Sequence, residues 1–182
     1  YCGKTPIWGK EKEIRKEINH KINVNRANEV VTFKRGYGFG EPIQYIRRGQ
    51  KESLTDGINA LNEYMFQEDK QAKDSELAEW FYTCGLGLRM VLPGPNADEP
   101  FKIYTLDPRY SFVVRYNGLG EKVVMAVKFI VKENKQEIYS VYTPEFYFEI
   151  ESGVIKKQEP HVLGCVPIFE YKTGAAMLGA FE

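Results

Sequence analysis

The chain has 182 residues, with 25 Lys and Arg balanced by 25 Asp and Glu, so its formal net charge is zero. Twelve Tyr, eleven Phe and two Trp supply enough apolar area to offset chain entropy, which argues against disorder. The charge balance argues against a strongly basic nucleic-acid module, and a chain of this length can bury a core without disulfides or a structural metal. The three cysteines, Cys2, Cys84 and Cys165, are widely spaced and form no C-x-x-C, so neither a zinc site nor a redox motif is indicated and a reducing compartment is expected. The longest apolar runs, such as Val123 to Val127, are too short to span a bilayer, and no signal peptide stands at the start. The sequence opens on Tyr1 rather than Met and stops at Phe181-Glu182 without a closing element, which reads as a piece of a longer protein.

In chain order, the part up to residue 85 reads as mainly helical. Ile14, Ile18 and Ile22 recur at i, i+4 among Lys and Glu, predicting a charge-laced helix over Glu11 to Lys21. Asn25 is the expected N-cap of the next helix, because its short side chain can accept from orphan backbone N–H groups. That helix should carry Ala27, Val30, Val31, Lys34 and Tyr37 on one face and end at Gly36, Gly38 and Gly40, with Glu41-Pro42 forbidding its continuation. A short strand is predicted over 43–47. Two helices follow: Thr55 to Phe66, with Ile58, Leu61 and Met65 inward, and Ala72 to Thr83, capped by Ser75 and apolar through Leu77, Ala78, Phe81 and Tyr82.

From residue 86 to 182 the period changes to two. Val123, Met125, Val127, Phe129 and Val131 alternate with Lys122, Val124, Ala126, Lys128, Ile130 and Lys132, and Phe146, Phe148 and Ile150 alternate with charged or tyrosyl neighbours. Turn signals at Pro93-Gly94, Asn117-Gly118, Glu133-Asn134 and Ser152-Gly153 separate the strands, so an antiparallel meander is expected. Helices first and a meander second make an α+β fold, read as one compact domain.

The sequence carries no recognisable catalytic motif. Five residues separate Gly3 from Gly9-Lys10 where a P-loop has four, and Glu11 stands where a magnesium-binding hydroxyl belongs. Gly36, Gly38 and Gly40 follow a helix and precede a strand, the reverse of a dinucleotide fingerprint. No G-x-S-x-G occurs, and His20 and His161 lack partners at metal-binding spacing. The best electrostatic candidate is Lys34, Arg35, Arg47, Arg48 and Lys51 beside Tyr37, Phe39 and Tyr45, since cations next to stacking rings hold single strands. The plain alternative is a solvated surface with mixed charge, given Glu29, Glu41 and Glu52 nearby.

The order of segments resembles tailed-phage portal proteins of the SPP1 type. The resemblance rests on Tyr1-Cys2-Gly3-Lys4-Thr5-Pro6-Ile7; on Asn25 with Tyr37-Gly38-Phe39-Gly40-Glu41-Pro42-Ile43-Gln44-Tyr45; and on the helix from Glu76 with Gly85 and Leu88-Arg89-Met90-Val91. It continues through Phe101-Lys102-Ile103, Leu106-Asp107-Pro108-Arg109 and Phe112-Val113-Val114 to Gly164-Cys165-Val166-Pro167-Ile168-Phe169-Glu170-Tyr171 and Gly179-Ala180-Phe181-Glu182. The ordered set covers nearly the whole chain, with Ala180 in place of an Asp and Lys172-Thr173-Gly174 in place of an Asn-rich turn. The positions that match the family pattern include Gly38, Gly40, Pro42, Pro108, Pro167 and Glu170.

The resemblance implies a non-enzymatic subunit of a homo-oligomeric ring, usually a dodecamer, at one capsid vertex. Double-stranded DNA would pass through its channel, and terminase, scaffold, coat and head-completion proteins would dock on it; no cofactor, metal or membrane is implied. This segment would be the wing, cut before the stem helices, in a protein found in the virion and, during assembly, in the bacterial cytoplasm. Two other readings stay open: a single-strand nucleic-acid-binding module built on Lys34, Arg35, Arg47 and Arg48, and a small hydrolase pairing Cys84 or Cys165 with His20 or His161.

Overall fold

A computed structural model describes residues 6–11, 13–14, 21–22, 24–46, 48, 55–117 and 120–173. Most of the helix expected over Glu11 to Lys21 lies outside these residues, as do Cys2, His20, Arg47, Lys51 and the closing Gly179 to Glu182. After a short 3-10 turn at Pro6–Gly9 come three helices, α1 (Arg26–Phe39), α2 (Thr55–Gln67) and α3 (Lys70–Cys84). Eight strands follow: β1 (Leu86–Pro93), β2 (Phe101–Leu106), β3 (Ser111–Arg115), β4 (Val123–Val131), β5 (Glu137–Tyr142), β6 (Phe146–Glu151), β7 (Val154–Pro160) and β8 (Ile168–Lys172). The fold is α+β, and all strand pairs are antiparallel.

The helices start and stop for local reasons. The Asn25 side chain accepts from the Asn28 N–H at 3.0 Å, the expected N-cap of α1. Contrary to expectation, α1 runs through Gly36 and Gly38 and ends at Phe39. Gly40 has no room for a Cβ, which would collide with the Gly36 carbonyl. Ser75 caps nothing; α3 begins five residues earlier, after Asp69, which bends in the left-handed region at φ 51°. Gly85 ends α3 at φ 73°, its N–H donating to the Phe81 carbonyl at 2.9 Å, where only glycine sits without strain. The strand expected over 43–47 is absent from its described residues. The Tyr45 N–H and carbonyl bond instead to the Asn62 side chain of α2, both at 2.9 Å, so a side-chain amide takes the place of a neighbouring strand.

One meander was expected, and two sheets form. β3-β4-β5-β6-β7 is a five-stranded meander, whereas β2-β1-β8 is a separate three-stranded sheet in which the last strand returns beside the first. No sequence periodicity marks such a return, because it is a long-range pairing. α3 packs on β1 and β2, and α1 and α2 pack on α3. The other side of the small sheet carries Leu88, Met90, Leu106 and Ile168, which meet Ala126 and Val166 in the core, with Val113, Val123 and Tyr142 against them. The layers are therefore helices, small sheet and meander.

Both sides of the meander carry buried residues, Ala126 on the side that meets the small sheet and Val127 and Val141 on the other. Its rows on the side of Ala126 are Val113–Ala126–Tyr142–Tyr147, Ser111–Lys128–Ser140–Glu149–Lys157 and Ile130–Ile138–Glu151–Val154. Its rows on the other side are Phe112–Val127–Val141–Phe148 and Phe129–Tyr139–Ile150–Ile155, and the helices pack elsewhere. The sequence placed Val123 with the odd-numbered residues of β4. A bulge opposite Val114 and Arg115 instead turns Val123 to the side of Ala126.

Candidate functional site

Two members of the expected cationic patch, Lys34 and Arg35, have partners within the chain. Val31, Lys34, Arg35 and Gly38 form the side of α1 that faces α3, with Gly38 near the Tyr82 hydroxyl. The Lys34 ammonium lies 5.6 Å from the centre of the Tyr82 ring, and Arg35 pairs with Glu79. Arg48 is exposed, and Arg47 lies outside the described residues. Of the residues expected on one face of α1, Val31 is buried whereas Val30 and Tyr37 are exposed.

Between the helices and the small sheet lies a cavity of about 910 Å³, walled by Phe39, Tyr45, Phe81 and Tyr82 and floored by Arg89, Val91 and Ile103. Its charges satisfy one another. Arg89, 8% exposed, donates to Asp74 at 2.6 Å and to the Lys73 carbonyl at 2.9 Å, and Lys70 closes on the other Asp74 oxygen. Arg89 Nε is buried without a partner among the described residues. A carboxylate held between two cations is a poor general base, so the arrangement ties α3 to β1 rather than presenting a reactive group.

A second network reaches the solvent edge. Glu68 accepts from Lys102 at 2.9 Å and from Lys73 at 3.0 Å, and Lys102 also meets Glu99 at 2.8 Å. Lys102 first, with Lys73, pulls the Glu68 carboxyl down to about 2 against the opposing effect of burial. Lys102 is raised, by Glu99 and then Glu68. A third network joins the two sheets: Glu170 on β8, its side chain 5% exposed, accepts from Arg115 on β3 and Lys172, each at 3.0 Å. Sequence reasoning missed all three. One signal was present, the lone Arg89 inside the apolar run Leu86 to Leu92, a position that demands a buried partner.

The family-pattern residues occupy structural positions. Gly38 and Gly40 shape the end of α1, and the Gly40 carbonyl accepts from Gln71 at 2.8 Å. Pro42 is exposed in the following segment. Pro108 lies in the β2–β3 turn, where Asp107 accepts from the Arg109 N–H at 2.9 Å, and the Arg109 guanidinium holds the Asp107 carboxyl below its ordinary value. Pro167 is fully buried, its carbonyl accepting from the Val91 N–H at 3.0 Å.

The thiol–imidazole reading gains nothing here. His161 Nε2 is 2.7 Å from the Thr143 carbonyl and Nδ1 accepts from the Leu163 N–H at 3.4 Å, so both nitrogens serve the backbone. Cys84 and Cys165 are free and exposed. Among the described residues no group of His, Cys, Asp or Glu could hold a metal ion, and no helix is long and apolar enough to cross a membrane.

The sequence profile of the family described as phage portal protein, SPP1 Gp6-like, matches residues 1–182. The chain belongs to this family. A search of curated proteins finds no match. Membership gives the chain a phage portal role. Within it, the three ion networks of this portal chain join α3 to β1, the end of α2 to β2, and β8 to β3.

Proposed function

We propose that this chain is part of a structural, non-enzymatic subunit of a portal ring, usually dodecameric, at one vertex of a phage capsid. In this reading the ring is the channel through which double-stranded DNA is packaged and ejected. Terminase, scaffold, coat and head-completion proteins dock on it, and it passes from the bacterial cytoplasm into the virion. The observation that carries the proposal is the family match across residues 1–182. The site geometry supports it in a subsidiary way, since the buried charged groups are spent on joining elements of the fold. The zero net charge suits the outer body of a ring, whose surfaces meet neighbours and solvent rather than DNA.

Two members of the cationic cluster, Lys34 and Arg35, have partners in Tyr82 and Glu79 of α3, which favours the portal reading over single-strand binding. Electron microscopy of the full-length gene product tests the proposal. Closed rings with a central channel are expected; particles that never close under any assembly condition would remove it.

A further inference from the structure

Ile58 to Cys84 contains neither Gly nor Pro, yet the chain breaks there into two helices. α2 and α3, of 13 and 15 residues, are separated only by Glu68 and Asp69. The break falls on Asp69, at φ 51° and ψ 42°. This left-handed conformation strains any residue but glycine, Asp less than most. The Asp69 side chain makes no cap hydrogen bond, so the first N–H groups of α3 lack the acceptor that a capping residue supplies.

The charges at the junction oppose the break as well. α2 has no basic residue in its last turn and is followed by Glu68 and Asp69, beside the negative end of its dipole. α3 has no acidic residue in its first turn, which holds Lys70 and Lys73 beside the positive end. One continuous helix would remove both mismatches. The carbonyls of Phe66, Gln67 and Glu68 would accept from Lys70, Gln71 and Ala72, and Asp69 would stand at i, i+4 to Lys73. Local preference therefore favours a single helix through Asp69.

The bend is held by distant partners. α3 is fixed on the small sheet: Arg89 on β1 donates to Asp74 at 2.6 Å, and Arg89 and Thr105 on β2 both donate to the Lys73 carbonyl at 2.9 Å. β2 also takes the end of α2. The Tyr64 hydroxyl donates to the Phe101 carbonyl, the two rings meet edge to face at 5.0 Å, and Lys102 donates to Glu68 at 2.9 Å. The apolar faces call for the bend too. At about 100° per residue, Met65 and Asp74 would lie on opposite sides of a continuous helix. The half-buried Ile58, Leu61 and Met65 would then turn away from the side of α3 that carries the buried Asp74 and Ala78. Local and long-range preferences thus conflict at this junction, and the contacts with β2 decide between them.

We propose that the α2–α3 junction is a two-position switch. Tyr64 and Glu68, latched on Phe101 and Lys102, hold it bent; releasing the latch lets Asp69 turn right-handed, so that α2 continues the axis of α3. Asn62, which holds the Tyr45 backbone in the bent position, leaves with α2. The switch belongs to the single chain and goes beyond the portal reading without depending on it.

Double electron–electron resonance on the full chain tests it. Cys2, Cys84 and Cys165 are replaced by Ser, and spin labels are placed at Asp56→Cys and Glu76→Cys, both exposed positions. In a straight helix these positions stand about 30 Å apart, and the bend brings them closer. The latch is removed by Tyr64→Phe with Lys102→Met, and Asp69→Ala or Asp69→Gly is added. Circular dichroism checks that helix content is kept; if the pair lowers it, Lys102→Gln alone takes its place.

The parent should show the shorter distance. The latch-free Asp69→Ala chain should populate the distance of about 30 Å, because Ala favours the helix and resists the left-handed conformation. Asp69→Gly in the same background should return the shorter distance, with the long-to-short ratio lower by about tenfold or more. A latch-free Asp69→Ala chain that keeps the parent distance would overturn the proposal. So would equal distributions for Asp69→Ala and Asp69→Gly, since residue 69 would then not be the pivot.

Discussion

Replacing Asp74 by Ala should destabilise the fold far more than replacing its partner Arg89 by Met. The two side chains are each 9% exposed and 2.6 Å apart, and Lys70, 13% exposed, shares the carboxylate. Removing Asp74 leaves two mostly buried cations, with only the Lys73 carbonyl still accepting from Arg89. Breaking a buried pair in this way costs about 3–5 kcal/mol. Arg89→Met leaves Asp74 paired with Lys70, removes the buried Nε that has no acceptor, and fills the space with apolar atoms, so its cost should be about 1 kcal/mol. Urea unfolding followed by circular dichroism reads the difference. With a slope of about 2 kcal/mol per molar, Asp74→Ala should move the midpoint down by about 1.5–2.5 M and Arg89→Met by about 0.5 M. An Asp74→Ala midpoint within about 0.5 M of the parent, or a larger loss for Arg89→Met, would refute the reasoning.

Three further outcomes follow from the same structure. Glu68 has a folded pKa of about 2, below its ordinary 4.5, so its contribution is present above about pH 4.5 and is lost as pH falls towards 2; Glu68→Gln should flatten that limb of an acid-unfolding profile. Gly85→Ala should cost about 1 kcal/mol or more, read as a lower thermal midpoint, because residue 85 sits at φ 73° and its new Cβ would stand 3.1 Å from Thr173 Oγ1. Glu170→Gln, which removes the charge that Arg115 and Lys172 share, should cost about 1–3 kcal/mol and increase hydrogen exchange in β8 and β3; unchanged exchange in both strands would count against a bridge between the sheets.

Much of the architecture was legible because its causes are local. The Asn25 cap, the half-buried Ile58, Leu61 and Met65 of α2, and the existence of a strand over Val123 to Val131 depend on neighbours in sequence. What escaped depends on distant partners. β8 returns to β1 across the whole meander, and no residue of Ile168 to Lys172 announces that pairing. Residues 43–46 read as strand by composition, but Asn62 supplies the hydrogen bonds that a strand would need. The face read for α1 grouped Val30 and Tyr37 with Val31, whereas the side that meets α3 carries Val31, the Lys34–Tyr82 contact and the Arg35–Glu79 pair. The site was less legible still: the cationic cluster could be seen in sequence, but not that Tyr82 and Glu79 take up two of its members. The family resemblance was legible as an ordered set of weak motifs, and the match over residues 1–182 bears it out.

The most direct test of the portal assignment is the mass of the full-length gene product in solution. Mass photometry or native mass spectrometry should find a closed species of about twelve subunits. A population that remains monomeric or dimeric at every concentration and salt condition would contradict it.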